Sequence, residues 1–287
     1  MKYLEPLFRP PAEADSLIFQ IAYGCPHNSC KFCGMYKTVK YRVRDNQETV
    51  AEILAAGRRY PQTRRIFLAD GDVMALPFEV LKTYLELLNQ AFPRLARVNI
   101  YANASSMHNK TTAELQTLRA LKLNTLYMGL ESGAQTVLDE FGKTESVETM
   151  ITEVRRVQDL DFKCSVMILI GLGGQDNQSG HIAETITALN RMQPKLLSAL
   201  RFIQIPGLKM PANYRAVTEY GTVAELRAIL ANLELAHTVF RANHTSNPLP
   251  LSGRFPADKT RLLAELDADL ESGLLNQNSA GQVPWVL

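Results

Sequence analysis

The sequence predicts an α/β fold built from six strand–helix units, and two observations carry that prediction. Short apolar runs of strand character alternate with helical periodicity six times before residue 210. Polar residues and glycines gather directly after each apolar run: a cysteine loop, Asp70-Gly71-Asp72, Asn103, Glu131, Gly171 and Pro206. Strands that alternate with helices imply a parallel sheet with right-handed crossovers. Six such units form either a partial barrel or a doubly wound sheet. In both, ligands bind at the carboxyl ends of the strands, so the candidate chemistry is expected on one rim.

The elements follow in order. The first strand is expected over residues 17–23 and is broken by Gly24 and Pro26. Asp45 with Glu48 resembles a capping box ahead of a helix whose apolar face is Val50, Ile53 and Leu54. Residues 65–69 form the second strand, and Pro77 suits the first position of the next helix. Residues 97–101 form the third strand; Thr111 and Glu114 cap the helix after it. The fourth strand spans 125–130, and Ser146 opens a helix through Met150, Val154 and Val157. The fifth spans 163–170, ends at Gly171-Leu172-Gly173-Gly174, and precedes a helix around Ile182, Ile186 and Leu189. The sixth spans 197–205 and stops at Pro206-Gly207.

Residues 1–210 therefore form one expected domain, and residues 211–287 a mostly helical C-terminal extension packing on it. In that extension Thr222 with Glu225 would cap one helix, and residues 256–270 would form the last. Between them lies a dense polar stretch from Phe240 to Pro248. The tail after Gly273 is expected to be weakly ordered, with Trp285 docking.

A chain of 287 residues, 46% hydrophobic and 21% charged, can bury a large core. The residues from Met1 to Pro6 contain no apolar signal core, and no run of about 18 apolar residues exists, so no membrane span is expected. A net charge of +2 gives no argument for a nucleic-acid partner. Lys37, Lys40, Arg42 and Arg44 form a local basic patch, either a solvated loop or an anion site.

Three of the four cysteines sit in one loop as Cys25-x4-Cys30-x2-Cys33. Clustered thiolates repel one another, so a cation is expected among them. Three cysteines suit a four-iron cluster with one iron left open. They also suit zinc if His27 supplies a fourth ligand. Lys31, His27 and Asn28 make the loop too polar for a core of buried thiols. Without a secretion signal, clustered thiols fit a reducing cytoplasm and a metal rather than disulfides. Cys164, alone in an apolar strand, is expected in the core.

At this point the residues resemble the radical S-adenosylmethionine (SAM) superfamily. The resemblance lies in Cys30-Lys31-Phe32-Cys33 after the first strand and Asp70-Gly71-Asp72 after the second. It continues in the segment from Tyr127 through Gly133 at the fourth strand and the segment from Ile168 to Gly174 at the fifth, covering roughly residues 15 to 210. Two departures stand out. Four residues separate the first two cysteines where most of the superfamily has three, and Gln175 lies near the place of the usual fifth-strand glutamate.

The resemblance implies a partial (β/α)6 TIM-type barrel, a [4Fe-4S] cluster held by Cys25, Cys30 and Cys33, and SAM on the open iron. It places Phe32 against the adenine and the turn of Asp70, Gly71 and Asp72 on the methionyl ammonium. Glu131 and Ser132 would hold the ribose or the methionyl end, with Gly171 and Ile203 close to the adenine. The implied reaction is one-electron cleavage of SAM to methionine and a 5'-deoxyadenosyl radical, which takes hydrogen from a substrate. It also implies an electron donor such as flavodoxin or ferredoxin.

The remaining polar residues leave alternatives. Asn103 is either a turn former or a further SAM contact. Arg201 faces either inward, toward a substrate or SAM carboxylate, or outward. His181 is expected to be an exposed helix residue, and His27 a hydrogen-bonder of the loop. Asn243, His244, Ser246 and Asn247 form either a capped turn or a substrate contact, the latter being favoured. With no second cysteine cluster and no separate RNA-binding domain, the expected substrate is a small molecule or peptide-sized. Two rivals remain: a non-enzymatic zinc protein, and a radical SAM enzyme that acts on RNA through the basic patch.

Overall fold

The computed structural model describes residues 3–282. The chain divides into two compact units. The first comprises Met1–Ser29, Cys33–Met128 and Arg156–Cys164; the second comprises Cys30–Phe32, Gly129–Arg155 and Ser165–Leu287.

In the first unit, β1 (Leu17–Gln20) is followed by the short strands β2 (Ala22–Tyr23) and β3 (Arg42–Val43), which pair antiparallel. Then come α1 (Asn46–Arg59), β4 (Arg65–Ala69), α2 (Phe78–Ala91), β5 (Arg97–Tyr101), α3 (Ala104–His108), α4 (Thr112–Ala120) and the start of β6 (Leu123–Glu131). Strand pairs β1·β4, β4·β5 and β5·β6 are all parallel, as the alternating pattern requires. The inward side of these strands is aromatic, with Phe67, Tyr101 and Tyr127 meeting edge to face. Glu13 is buried nearby. Its Oε1 accepts from Asn99 Nδ2 at 2.8 Å and from the Tyr127 hydroxyl at 2.5 Å, while Oε2 accepts from Ser16 at 2.6 Å. A buried carboxylate is tolerated here because its lone pairs are taken.

The second unit takes the end of β6, then α5 (Gln135–Glu140), α6 (Val147–Asp159), β7 (Lys163–Ile170), α7 (Gln178–Met192) and β8 (Leu196–Arg201). It continues with α8 (Glu219–Asn232), β9 (Thr238–Ala242), β10 (Leu251–Phe255) and α9 (Lys259–Glu271). Elements α6 and β7 cross between the units at Arg155 and Cys164. Strand β7 pairs parallel with β8, β8 pairs parallel with β9, and β9 pairs antiparallel with β10. Cys164 is fully buried, as expected.

Several expectations shift. The first strand ends at Gln20, because the chain turns at Ile21 to pair Ala22 and Tyr23 with β3. The sixth ends at Arg201 rather than 205. Pro77 caps α2 from outside, with an extended ψ of 143°, instead of opening it. Thr218, not Thr222, caps α8: its hydroxyl accepts from Gly221 N at 3.0 Å, and Thr222 and Glu225 lie buried within the helix. The extension has its two expected helices but adds β9 and β10. In β9 the exposed Arg241 interrupts the apolar run that would have marked a strand. The tail after Gly273 is tied down on α8: Glu219 N donates to Ser279 O at 2.8 Å, and Asn276 N to a Glu219 carboxylate oxygen at 2.9 Å. Trp285 lies outside the described residues. Among the described residues no helix is long and apolar enough to cross a membrane.

Two glycines test the packing of α7. A Cβ on Gly133 would lie 2.2 Å from the Glu184 carbonyl oxygen, whereas one on Gly180 meets nothing closer than 3.9 Å. Gly133→Ala should therefore cost about 2 kcal/mol by overpacking. Gly180→Ala, in the same helix, should stabilise by about 0.5–1 kcal/mol. Urea unfolding of the two variants checks the opposite signs.

Candidate functional site

In the first unit, β4 ends in a tight turn at Asp70, whose φ of 84° is left-handed. Gly71 N donates to Gly24 O at 3.0 Å, which fastens this turn to the start of the cysteine loop. A Cβ on Gly71 would sit 2.4 Å from Cys25 Cβ and 2.9 Å from its sulfur, so only glycine lets the loop lie this close. The Asp70 carboxylate is buried, accepts from Gln20 Nε2 at 3.0 Å and has no cation partner among the described residues. Burial pushes its pKa up to about 7, against the opposing hydrogen bonds from Gln20 and the Gly24 backbone.

Asp72, two residues on, is fully engaged. Its Oδ2 accepts from Ser106 Oγ at 2.6 Å and lies 3.2 Å from His27 Nε2, and its Oδ1 accepts from Asn103 N at 3.3 Å. Asn103 therefore contributes its backbone here, and its side chain makes no cap bond to α3. His27 is drawn to Asp72, the loop-anchoring behaviour expected of it. Among the described residues no three His, Cys, Asp or Glu side chains close around a single metal ion.

Tyr36 completes this half. It is 2% exposed and packs edge-on to Phe8, and its hydroxyl has no hydrogen-bond partner among the described residues. Burial raises its pKa far above the ordinary value, and the charges of Asp70, Tyr101, Cys33 and Cys25 reinforce the shift. It is thus a permanent donor whose ionisable neighbours include two of the thiols.

In the second unit, the segment Cys30–Phe32 is held on the end of α5. Lys31 N donates to Phe141 O at 2.7 Å, and Lys31 Nζ to Glu140 O at 2.8 Å. Phe32 joins an aromatic cluster with Phe141, Phe202 and Tyr214, and the Tyr214 hydroxyl donates to Gly171 O at 3.0 Å. Gly171 and Ile203 line a cavity of about 150 Å³ together with Phe202, Tyr214, Val217 and Ala280.

Glu131 ends β6 with φ of 66° and is buried, which pushes its carboxyl up to about 7. Lys143 opposes that rise and Glu145 adds to it. Lys143 is itself buried and pairs with Glu145 at 3.0 Å. Burial disfavours its charge, but Glu145, Glu131 and Cys30 together outweigh that effect and raise its pKa.

Ser132, next in the chain, turns its hydroxyl inward to His181 Nδ1 at 2.7 Å. His181, expected to be exposed, is fully buried, because α7 presses its first turns against this strand end.

The other expected contacts are engaged within the chain. The Arg201 guanidinium donates to Ala280 O and Gln282 O, both at 2.6 Å. Asn247 Oδ1 accepts from Arg201 N, and its Nδ2 donates to Ala199 O and Ala242 O, each at 2.8 Å. His244 and Ser246 bond each other at 2.9 Å, while Asn243 is exposed. Sequence reasoning missed Tyr36, Lys143, His181 and Glu225. Their only signal was polarity beside a strand end or within a helix, and that does not reveal burial.

The two raised carboxyls set a pH dependence. Asp70 has an ordinary value of 3.8 and a folded value of about 7, so the folded state binds the proton more tightly. Its contribution to stability is therefore fully present below the ordinary value and is lost as pH rises toward 7. Asp70→Asn should raise the melting temperature of the metal-free protein at pH 8 and leave it nearly unchanged at pH 4. Calorimetry at the two pH values checks the difference.

The family model of the Radical SAM superfamily matches residues 19–186. A curated relative, the heme chaperone HemW of Bacillus subtilis (strain 168), is 22% identical over 159 residues, 53% of this chain and 41% of that protein. Among solved structures, the FeFe-hydrogenase maturase HydG from Carboxydothermus hydrogenoformans superposes with a TM-score of 0.51 at 21% identity, covering 87% of this chain and 56% of that one. Coproporphyrinogen III oxidase (HemN) from Escherichia coli gives 0.51 at 17% identity, covering 90% and 52%. The radical SAM methyltransferase TsrM from Kitasatospora setae gives 0.58 at 13%, covering 88% and 61%. The matches cover between 41% and 61% of the length of these relatives. At such identities the structural likenesses carry the fold alone, an α/β partial barrel of the TIM type. The family match spans more than half of the chain and contains the cysteine loop, Asp70, Glu131 and Gly171, so the chain belongs to the radical SAM superfamily and is an enzyme of that class.

Proposed function

We propose that this enzyme binds a [4Fe-4S] cluster through Cys25, Cys30 and Cys33, cleaves SAM reductively, and uses the resulting radical to take hydrogen from a small-molecule substrate. The observation that carries the reading is Asp70, a buried carboxylate without a cation among the described residues, in the turn fastened against Cys25. A ligand with an ammonium and a sulfonium supplies the missing positive charge. The residues also fit the cluster. Three thiols on one loop supply soft donors, and the unpartnered Tyr36 hydroxyl is a donor suited to an anionic group near Cys25 and Cys33.

When bound, the cluster supplies one electron to SAM, which yields methionine and the 5'-deoxyadenosyl radical. The chain's own residues do the rest. Asp70, with the carbonyls of its turn, would hold the methionyl ammonium, and its proton would leave as that cation arrived. Asp72, spent on His27, Ser106 and Asn103, would shape the loop rather than touch SAM. Glu131 would accept from the ribose hydroxyls, and Lys143 would face the SAM carboxylate. Gly171 and Ile203, on the wall of the 150 Å³ cavity, would border the adenine, with Phe32 in the aromatic cluster behind. Tyr36 stays protonated and so donates without adding charge. An electron donor such as flavodoxin or ferredoxin would provide the electron, and a reducing cytoplasm would keep the thiols free.

Anaerobic reconstitution tests the reading. The brown protein should hold about four irons per chain and, with dithionite and SAM, release 5'-deoxyadenosine. Cys30→Ala should lower that release by more than about 100-fold, since it removes a ligand outright. Release at the wild-type rate by this variant, or a colourless protein that holds one zinc, would sink the assignment. Incubation with a deuterated cell extract should move deuterium into 5'-deoxyadenosine from one small metabolite. Transfer only from an RNA fraction would replace the proposed substrate class.

A further inference from the structure

Three polar side chains in the second unit form a buried line that the reaction does not use directly. Ser132, His181 and Glu225 are each no more than 1% exposed. Ser132 Oγ lies 2.7 Å from His181 Nδ1, and His181 Nε2 lies 3.2 Å from Glu225 Oε1, off the line of an ideal hydrogen bond. The same Glu225 oxygen accepts from Gly171 N at 2.6 Å, and Oε2 accepts from Gln178 Nε2 at 2.9 Å. Both Glu225 oxygens act as acceptors, so the imidazole proton is assigned to Nε2, facing Oε1. Nδ1 is then an acceptor, and Ser132 donates to it.

The order serine, histidine, glutamate is that of acyl-transfer triads. Here the hydroxyl has no exposed surface and also accepts from Ala134 N at 3.0 Å, so it cannot meet a substrate. Packing does not explain the line either, since three apolar side chains would fill this interior without unmet polar groups. What the line does join is two turns. Ser132 belongs to the turn after β6, directly beside Glu131, and Gly171 begins the turn after β7. Helix α7 reinforces the first of them one turn further on, where Thr185 Oγ1 accepts from Gly133 N at 2.8 Å.

We infer that His181 is a positioning residue that locks the Glu131–Gly133 turn and the Gly171 turn to each other through Ser132 and Glu225. The last step, that both turns touch SAM, rests on the function proposed above; the mechanical coupling does not.

The test uses the full chain, reconstituted anaerobically, with His181→Phe and the milder Ser132→Ala. Amide hydrogen exchange is read at peptides covering Ser132 to Ala134 and Gly171, alongside SAM dissociation constants from equilibrium dialysis and iron content. In both variants exchange should quicken at least tenfold at Gly171, although neither changes the Glu225–Gly171 bond. The SAM dissociation constant should rise about tenfold with iron content unchanged. Glu225→Gln, which keeps the shape but weakens the acceptor, should give an intermediate effect. Unchanged exchange at Gly171 in Ser132→Ala would overturn the coupling, even if His181→Phe failed to fold. Exchange that rose evenly through the unit with an unaltered SAM constant would reduce His181 to a core residue. If the unaltered protein bound no SAM, the proposed function would fall while the exchange result still judged the coupling.

Discussion

Holding a carboxylate in a dry strand end is the constraint on which the candidate site depends. Asp70 meets it in the first unit with one side-chain hydrogen bond and a left-handed backbone. Glu131 meets it in the second, where the nearby Lys143 is shared with Glu145. Burial disfavours the ionised form of each, and the folded chain accepts that penalty at the ends of its strands. Strain and desolvation concentrated in this way mark functional positions more often than structural ones. The neighbouring features serve the same end. Gly71 lets Cys25 approach the Asp70 turn, and Tyr36 supplies a donor that no described residue receives.

The C-terminal part of the chain adds rigidity to the second unit rather than obvious recognition groups. Arg201 secures the segment around Ala280 and Gln282 to the end of β8. Asn247 bridges β8 and β9 with all three of its hydrogen bonds. Of the four residues expected at a substrate contact, Asn243 is exposed, while His244, Ser246 and Asn247 are engaged within the chain. The cavity beside Gly171 is walled on one side by the segment that Arg201 secures, through Ala280 and Gly281.

Much of the fold was legible because the strands announce themselves. Residues 65–69, 97–101 and 163–170 are apolar runs with clear stops, and each is a strand with those bounds. The capping box of Thr111 and Glu114 was equally plain, since reciprocal capping is a local matter. What escaped was decided by distant partners. β2 is two residues long and exists only because Arg42 and Val43 lie opposite. Thr222 and Glu225 imitate a cap, yet Thr218 stands four residues earlier and Glu225 is drawn inward by Gly171. His181 has the sequence surroundings of a solvent-facing residue, and it is buried by distant partners, Gly173 against its Cβ and Ser132 and Glu225 at its ring nitrogens. The thiols, Asp70, Glu131 and Gly171 could be named as candidates because they fall after strands of an α/β fold, the ends where such folds bind ligands. Lys143 and Tyr36 could not, since nothing local separates a buried lysine or tyrosine from an exposed one.

The tight seat of α7 also bears on how this protein can change over evolutionary time. Each residue added to a helix rotates everything beyond it by about 100°. One insertion within α7 between Gln178 and His181 would swing Thr185 away from Gly133 and drive a bulkier side chain at the Gly133 backbone. The helix from Gln178 to Thr185 is therefore closed to length variation, whatever its composition. Beyond Thr185 the same limit continues, since Ala188, Leu189 and Met192 are buried and Asn190 and Gln193 hydrogen-bond to the segment 232–236 that leads into β9.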